Sequence, residues 1–249
     1  MGLTIHYTIM WEPPNPPPDD VSVRRLVEEA RRQIIRARLG RVTALRPADG
    51  GAFNGLDFAK VKYDPRDGRA PFDTHIEVKP VCGYLFTLDV GEDCEPATMG
   101  LCRYPEKTWA HGRDWPLPKL RGWRLRLFAK TQYASLHGWE HFRRCHLAIL
   151  AALEIWRELG ARVKISDEGG YWPRRSERVL RRELDMMNGI VAAAAGAMRD
   201  LAEDTGGDRA AIQSPILAHP QFERLEHEGQ ARVAPHVAAL RRLAKRGGR

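Results

Sequence analysis

The chain has little of what marks membrane, secreted or metal-ribbon proteins. It holds four cysteines in 249 residues, and no two of them form a C-x-x-C pair, so neither a zinc ribbon nor a redox motif is indicated. No apolar run reaches the roughly 20 residues of a membrane helix. Residues 1–7 lack the basic and apolar sections of a signal peptide. These absences predict a soluble, cytoplasmic protein with reduced thiols and no membrane partner.

Excess charge is also scarce outside the C-terminal end. The net charge is +8, from 40 basic and 32 acidic residues. Residues 232–249 hold six of the basic residues and no Asp or Glu, so the first 231 residues carry 34 basic against 32 acidic groups, or +2. The tail alone therefore suggests a polyanion such as nucleic acid as a partner.

Hydrophobic periodicity predicts a regular order of elements. Strands are expected at 3–9, 41–45, 75–78, 81–90 and 163–165, and helices at 20–39, 140–159 and 176–201, with short helices at 221–228 and 235–246. The stretches 47–74 and 91–137 are predicted to be irregular because they are rich in Gly and Pro or in aromatic residues.

This order is the split β-α-β pattern of a ferredoxin-like α+β fold. The expected structure is an antiparallel sheet with helices on one face, two long insertions and an extra C-terminal helix. Residues 1–203 are predicted to form a single α+β domain. Residues 204–249 are predicted to be a polar, basic appendage, partly helical or disordered.

An acidic segment follows the most apolar strand. Asp89, Glu92 and Cys94 lie within six residues of one another, beside Gly91. Carboxylates and a thiol in this density predict acid–base chemistry or a divalent metal bound by these three residues. The alternative is that the carboxylates are only solvent-exposed side chains of a turn.

A second acidic segment follows the last strand. Asp167 and Glu168 precede two glycines, Tyr171 and Trp172. The two acids are candidate catalytic groups, and Tyr171 is a candidate ligand-binding residue. The aromatic rings would form an apolar surface that raises the pKa of a nearby carboxyl group. The alternative is that the two glycines only form a turn before a helix and that the aromatic rings fill the core.

Four further residues complete the set of candidates for the site. His146 lies on the apolar stripe of the second helix, where a core histidine is the favoured interpretation and a catalytic base the alternative; His6 is the other candidate base. Lys130 precedes the same helix, and Lys130 or Arg103 is a candidate anion holder. Nucleotide-binding and serine-hydrolase motifs are absent from the sequence.

Several segments resemble a family of uncharacterised bacterial proteins. They are MGLTIHY (1–7), the segment 83–105 with its GEDCEP sequence, KTQYAS (130–135), RCHL (144–147) and SDEGGYW (166–172). The resemblance extends over residues 1–203 and leaves out the tail. It implies a bacterial, cytoplasmic, single-domain protein and carries no activity, cofactor or catalytic residue.

The sequence favours an enzyme, hydrolase-like and with or without metal assistance, in which Asp89, Glu92, Asp167, Glu168 and His146 converge on a small-molecule substrate. The alternative is a non-enzymatic binding or regulatory module for a protein or small ligand, with the basic tail on a polyanion.

Overall fold

Helices and an antiparallel sheet make up most of the protein. The computed structural model describes residues 3–12, 19–48, 59–62, 75–110, 112–172, 174–204, 213–232 and 234. Four α-helices lie in these ranges: α1 (Asp20–Arg36), α2 (Trp139–Glu158), α3 (Glu177–Asp204) and α4 (222–232). Each overlaps a predicted helix. The expected α+β class and the antiparallel sheet are confirmed.

Seven of the strands in the described ranges form one main sheet. These are β1 (Thr4–Trp11), β2 (Arg41–Val42), β3 (Arg46–Pro47), β6 (Cys82–Asp89), β7 (Ala97–Arg103), β10 (Trp123–Lys130) and β11 (Arg162–Asp167). Two separate hairpins are made by β4 (Ala59–Lys62) with β5 (His75–Val78) and by β8 (Lys107–Ala110) with β9 (Arg113–Pro116).

The strand order explains where the site lies. The main sheet runs β11–β1–β10–β7–β6–β2, with β3 also paired to β6. Every pairing is antiparallel, so β6, β10 and β11 run in the same direction. Their last residues, Asp89, Lys130 and Asp167, therefore lie at one end of the sheet, which we call the carboxyl end.

Two strands of the main sheet, β7 and β10, lie in the stretch 91–137 that the sequence predicts to be irregular, and that prediction is wrong. Trp123, Leu125 and Ala129 of β10 are buried, and they alternate with Arg126 and other residues that are exposed or half-buried. This alternation is the pattern of a strand with one buried face. Aromatic density and nearby prolines obscured it.

One face of the main sheet is covered by helices, and we call it the helical face. The N-cap of α1 is Asp19, whose side chain accepts a hydrogen bond from the Ser22 amide. Val27 of α1 and Trp156 of α2 are fully buried there with Tyr7 and Phe86 of the sheet.

The other face has two parts. Ile76 and Val78 of the β4–β5 hairpin cover Leu85 in a second core cluster. Where β1, β10 and β11 lie side by side, polar and exposed side chains occupy the surface, which we call the open face. Phe128, His6 and Ser166 form one row across these three strands.

The described part of the C-terminal appendage packs on α3. Ile216 and Leu225 are buried with Ala192 and Ala195 of that helix. The helix predicted at 235–246, most of the basic tail, and the segments 49–58 and 63–74 of the predicted irregular stretch lie outside the described residues. Among the helices of the described part, none has the length and hydropathy to span a bilayer.

Candidate functional site

The predicted site segments all reach the carboxyl end of the sheet, but they do not meet in one place. The acidic segments follow β6 and β11, which are separated by β7, β10 and β1. Neighbouring strands lie about 4.8 Å apart, so Asp89 and Asp167 belong to positions about 19 Å from each other. The N-terminal half of α2 lies across this end and contacts both loops. The single acidic site expected from the sequence is therefore divided into clusters.

The first cluster surrounds His146 and is fully buried. Thr131 Oγ1 lies 2.9 Å from His146 Nδ1, and Asp167 Oδ1 lies 3.2 Å from His146 Nε2. The side chains of His146 and Asp167 have no exposed surface. Because a carboxylate only accepts, we assign the ring proton to Nε2 and leave Nδ1 to accept from the Thr131 hydroxyl. No partner of His146 Nε2 meets hydrogen-bond geometry, so Asp167 lies in contact with the ring without an aligned hydrogen bond to it.

Asp167 also fixes the loop that follows β11. Its Oδ1 accepts from the Gly169 amide at 2.7 Å and its Oδ2 from the Trp172 amide at 2.8 Å. Burial acts to raise the pKa of Asp167, but His146 and the two amides outweigh it and hold the pKa below its usual value. The carboxyl group is therefore held as a charged anchor inside the protein.

The lack of a side chain at Gly169 allows the residues of this cluster to pack closely. A Cβ atom at Gly169 would lie 2.6 Å from Leu180 Cδ1 and 3.0 Å from both Asp167 Oδ1 and His146 Cε1. The first glycine of the Gly-Gly pair is thus required by close packing, whereas Gly170 has a positive φ of 65°. Since the side chains of His146 and Asp167 do not reach the surface, their geometry agrees with the core-histidine interpretation and places them out of contact with solvent.

The second cluster lies on the open face and uses the residue next to Asp167. Glu168 Oε1 lies 3.4 Å from His6 Nε2, and Glu168 Oε2 accepts from the Thr4 amide at 3.0 Å. The side chains of His6 and Glu168 are 50% and 43% exposed. Strand alternation places Asp167 on the helical face and Glu168 on the open face.

Lys130 joins this open cluster from β10. It stands opposite Thr4 in the β1–β10 register, and its ammonium lies 3.5 Å from Glu95 Oε1. Glu95 Oε2 also accepts from the Lys130 amide at 3.0 Å. Glu95 belongs to the acidic segment after β6 but was not among the candidate site residues of the sequence analysis. The alternation in 123–130 was the signal that would have put Lys130 at a strand end beside Thr4.

The third cluster lies where the loop after β6 meets α2. His141 Nε2 lies 3.0 Å from the Glu92 carbonyl oxygen and 3.6 Å from Cys145 Sγ. Arg144 donates to the Val90 carbonyl at 3.0 Å, and its Nη2 lies 3.1 Å from His141 Nδ1. The candidate site residues of the sequence analysis include neither His141 nor Cys145, so this pairing was not expected.

The proposed metal ligands each engage other partners. Asp89 Oδ2 pairs with Arg41 at 2.7 Å, Glu92 Oε2 lies 3.9 Å from His137 Nε2, and Cys94 Sγ lies 3.7 Å from the Lys130 carbonyl oxygen. Within the described residues, no group of three or more His, Cys, Asp and Glu side chains is arranged to hold a metal ion. The metal assignment remains a prediction from the sequence alone.

The remaining predicted ligand-binding residues lie apart from the open cluster. Arg103 ends β7, which runs opposite to β10, so it lies at the other end of the sheet, over the Trp123 ring. Tyr171 is half-buried and packs on the main core, with the Arg175 guanidinium 5.9 Å from its ring. Of the predicted ligand-binding residues, Lys130 alone belongs to an exposed polar cluster at the carboxyl end.

Comparison with known proteins adds no relative. No protein-family model matches the chain, and no curated protein and no solved structure matches it.

Proposed function

We propose that the protein is an enzyme, hydrolase-like in its chemistry, in which His6, Glu168 and Lys130 act on a small-molecule substrate at the open face. The observation that carries the proposal is the position of Glu168. One of its oxygens faces the His6 ring while the other is held by the Thr4 amide, so the carboxylate and the imidazole are fixed relative to each other on an exposed surface.

The three groups have complementary chemistry. If Glu168 accepts from the His6 Nε2–H, then Nδ1 is left to take a proton from water or from a substrate hydroxyl. A carboxylate that orients an imidazole in this way is a recurring support for a general base. The Lys130 side chain is 44% exposed, and its ammonium would stabilise negative charge that develops on the substrate.

Activity toward p-nitrophenyl acetate and bis(p-nitrophenyl) phosphate tests this proposal. The Glu168→Gln variant keeps an oxygen for the Thr4 amide but loses the charge that orients His6, so we expect it to fold and to lose about 100-fold or more in kcat. Lys130→Met should cause a loss of similar size.

Surface residues of the same types supply matched controls. Glu140 is 75% exposed on α2, and Lys119 is exposed in the turn at Pro118–Leu120. Glu140→Gln and Lys119→Met should retain the wild-type kcat. A wild-type rate no higher than that of the Glu168→Gln variant would contradict the proposal.

A second candidate function is non-enzymatic binding of a polyanion. Arg126, Arg162 and Lys164 are exposed on β10 and β11, and none of the three has an ion-pair partner among the described residues. Arg126 and Lys164 lie two residues along β10 and β11 from the row that holds Phe128 and Ser166, and Phe128 is 42% exposed. Cations around an exposed aromatic ring are typical of surfaces that bind single-stranded nucleic acid. Oligonucleotide binding that Arg126→Glu weakens and Glu168→Gln leaves unchanged would favour this function.

We further propose that the fold is an enlarged ferredoxin-like arrangement in a bacterial cytoplasmic protein. The strand order supports the fold, because β1 lies between β10 and β11, the two strands that α2 connects, as in a split β-α-β unit. None of the four cysteines is in a disulfide, which supports a reducing compartment.

A further inference from the structure

An exposed aromatic ring lies beside the residues proposed to act on the substrate. The centroid of the Phe128 ring lies 5.9 Å from that of His6, with 53° between the ring planes. Lys130 Nζ lies 5.8 Å from the centroid of the same ring. Phe128 is nevertheless 42% exposed, and an apolar ring gains free energy when a ligand covers it. The ring is therefore a surface against which part of a substrate can pack.

A row of two cations and a hydroxyl group lies next to this ring. Arg126 of β10 and Lys164 of β11 both stand opposite Thr8 of β1, one on each side of it, so the three side chains share the open face. Arg126 and Lys164 are exposed and Thr8 is half-buried. The row with Phe128 and His6 follows two residues along the strands, about 7 Å away.

The two cations of this row carry charge that no neighbour compensates. Arg126 and Lys164 have no ion-pair partner among the described residues, whereas Arg24 on α1 pairs with Glu28 at 2.9 Å. Their backbones lie about 10 Å apart, with Thr8 between them, so two long side chains can turn toward one group above the Thr8 hydroxyl. The local excess of positive charge attracts an anion to this position.

We propose that the substrate of the open-face site is a small aromatic compound with a negatively charged group, a carboxylate or a phosphate, at the end remote from the reacting bond. Its ring packs on Phe128 and its reacting bond faces His6. Its charged group lies between Arg126 and Lys164 and accepts from the Thr8 hydroxyl. The step of about 7 Å between the two rows is close to the length of a benzene ring substituted at opposite ends. This inference rests on the proposed function, because it specifies the substrate of the same site.

The charges on the other side of the ring favour a small anion over a nucleic-acid strand. A strand that crosses Phe128 with one phosphate near Arg126 brings a further phosphate to the opposite side of the ring. There the side chains of Glu168 and Glu95 are 43% and 45% exposed, and carboxylates repel a phosphate. A compound with a charge at one end only avoids this repulsion.

Two acetate esters that differ by one carboxylate test the substrate class on the full-length protein. Water adds across the ester bond of 4-acetoxybenzoate to give acetate and 4-hydroxybenzoate, and phenyl acetate gives acetate and phenol. After correction for the uncatalysed rates, we expect kcat/KM to be about tenfold higher for 4-acetoxybenzoate, because its carboxylate accepts charge-assisted hydrogen bonds. Arg126→Met and Lys164→Met should each remove most of this preference. Arg36→Met is the matched control and should retain it, because Arg36 is an exposed residue of the last turn of α1, on the helical face.

Binding of the product separates this proposal from the proposed function. Isothermal titration calorimetry with 4-hydroxybenzoate needs no turnover, and we expect Arg126→Met and Phe128→Ala each to weaken binding by about tenfold. Such binding without ester hydrolysis above the rate of Glu168→Gln would support the anionic aromatic ligand and contradict the proposed function. Hydrolysis of both esters with equal kcat/KM, at rates above those of Glu168→Gln, would overturn the substrate class and leave the proposed function standing. Binding of 4-hydroxybenzoate that Arg126→Met leaves unchanged would also overturn the substrate class.

Discussion

Asp167 and Glu168 are adjacent in the sequence, yet each forms a histidine pair on a different face of the same sheet. The Asp167 carboxylate lies 3.2 Å from the His146 ring with neither side chain exposed, and the Glu168 carboxylate lies 3.4 Å from the His6 ring with both about half exposed. The residue types and distances are nearly the same. The surroundings differ completely.

The comparison shows that burial decides what a histidine–carboxylate pair contributes. A buried charge has lost its water, so each protein partner that replaces the water is needed, and removal of one partner is costly. An exposed pair is screened by solvent and contributes little to stability, but its atoms remain within reach of a ligand. We therefore expect the His146 pair to stabilise the fold and the His6 pair to serve function.

The largest expected effect separates the two carboxylates by stability. Asp167→Asn should lower the free energy of unfolding by about 3 kcal/mol, because it removes a buried charge from the His146 ring and places an amide NH₂ against one of two backbone N–H donors. Glu168→Gln should change it by less than about 1 kcal/mol. Urea unfolding of the two variants at neutral pH measures both values.

Equal losses in the two variants would contradict the division into a buried and an open pair. The activity assay provides the reverse comparison, since Glu168→Gln is the variant expected to lose kcat while it keeps its stability. Circular dichroism before unfolding checks that Asp167→Asn still folds.

Much of the fold could be predicted from local patterns. Helices α1, α2 and α3 have long stripes of apolar residues at helical spacing, and β1 alternates cleanly, so their positions were predicted well. β7 was not predicted, because six of its seven residues are buried and the strand has no alternation to detect. β10 does alternate, but the aromatic residues and prolines of the stretch 91–137 obscured its pattern.

The site could be predicted only in part, for a related reason. The sequence identified Glu168, Lys130, Asp167 and His146 as residues of interest, but their grouping depends on which strands are neighbours. Without β10 beside β1, nothing connects Lys130 to Thr4 or to Glu168. The assignment of Asp167 and Glu168 to opposite faces also requires that β11 extend to Asp167, beyond the predicted strand 163–165.

A smaller effect is expected from the glycine that closes the buried cluster. Gly169→Ala should lower the free energy of unfolding by about 2 kcal/mol, because its Cβ would overlap Leu180 and crowd the His146 pair. Gly189 in α3 is the matched control, since a Cβ there meets nothing nearer than 3.5 Å. Gly189→Ala should be neutral or stabilising, because alanine favours a helix interior over glycine. A destabilisation of similar size in both variants would contradict the close-packing role of Gly169.

The smallest expected effect is the part of the Asp167 contribution to the free energy of unfolding that depends on its charge. Burial opposes ionisation, but His146 and the loop amides lower the pKa of Asp167 in the folded protein below its ordinary value of 3.8. A lowered pKa stabilises the folded state fully above the unfolded-state pKa, and this stabilisation is lost as the pH falls through the folded-state pKa. The difference in unfolding free energy between wild type and Asp167→Asn should therefore be constant from about pH 7 to about pH 5 and should shrink below about pH 4. Urea unfolding over this range measures it. A difference that stays constant into strong acid would mean that Asp167 acts through its hydrogen bonds alone and not through its charge.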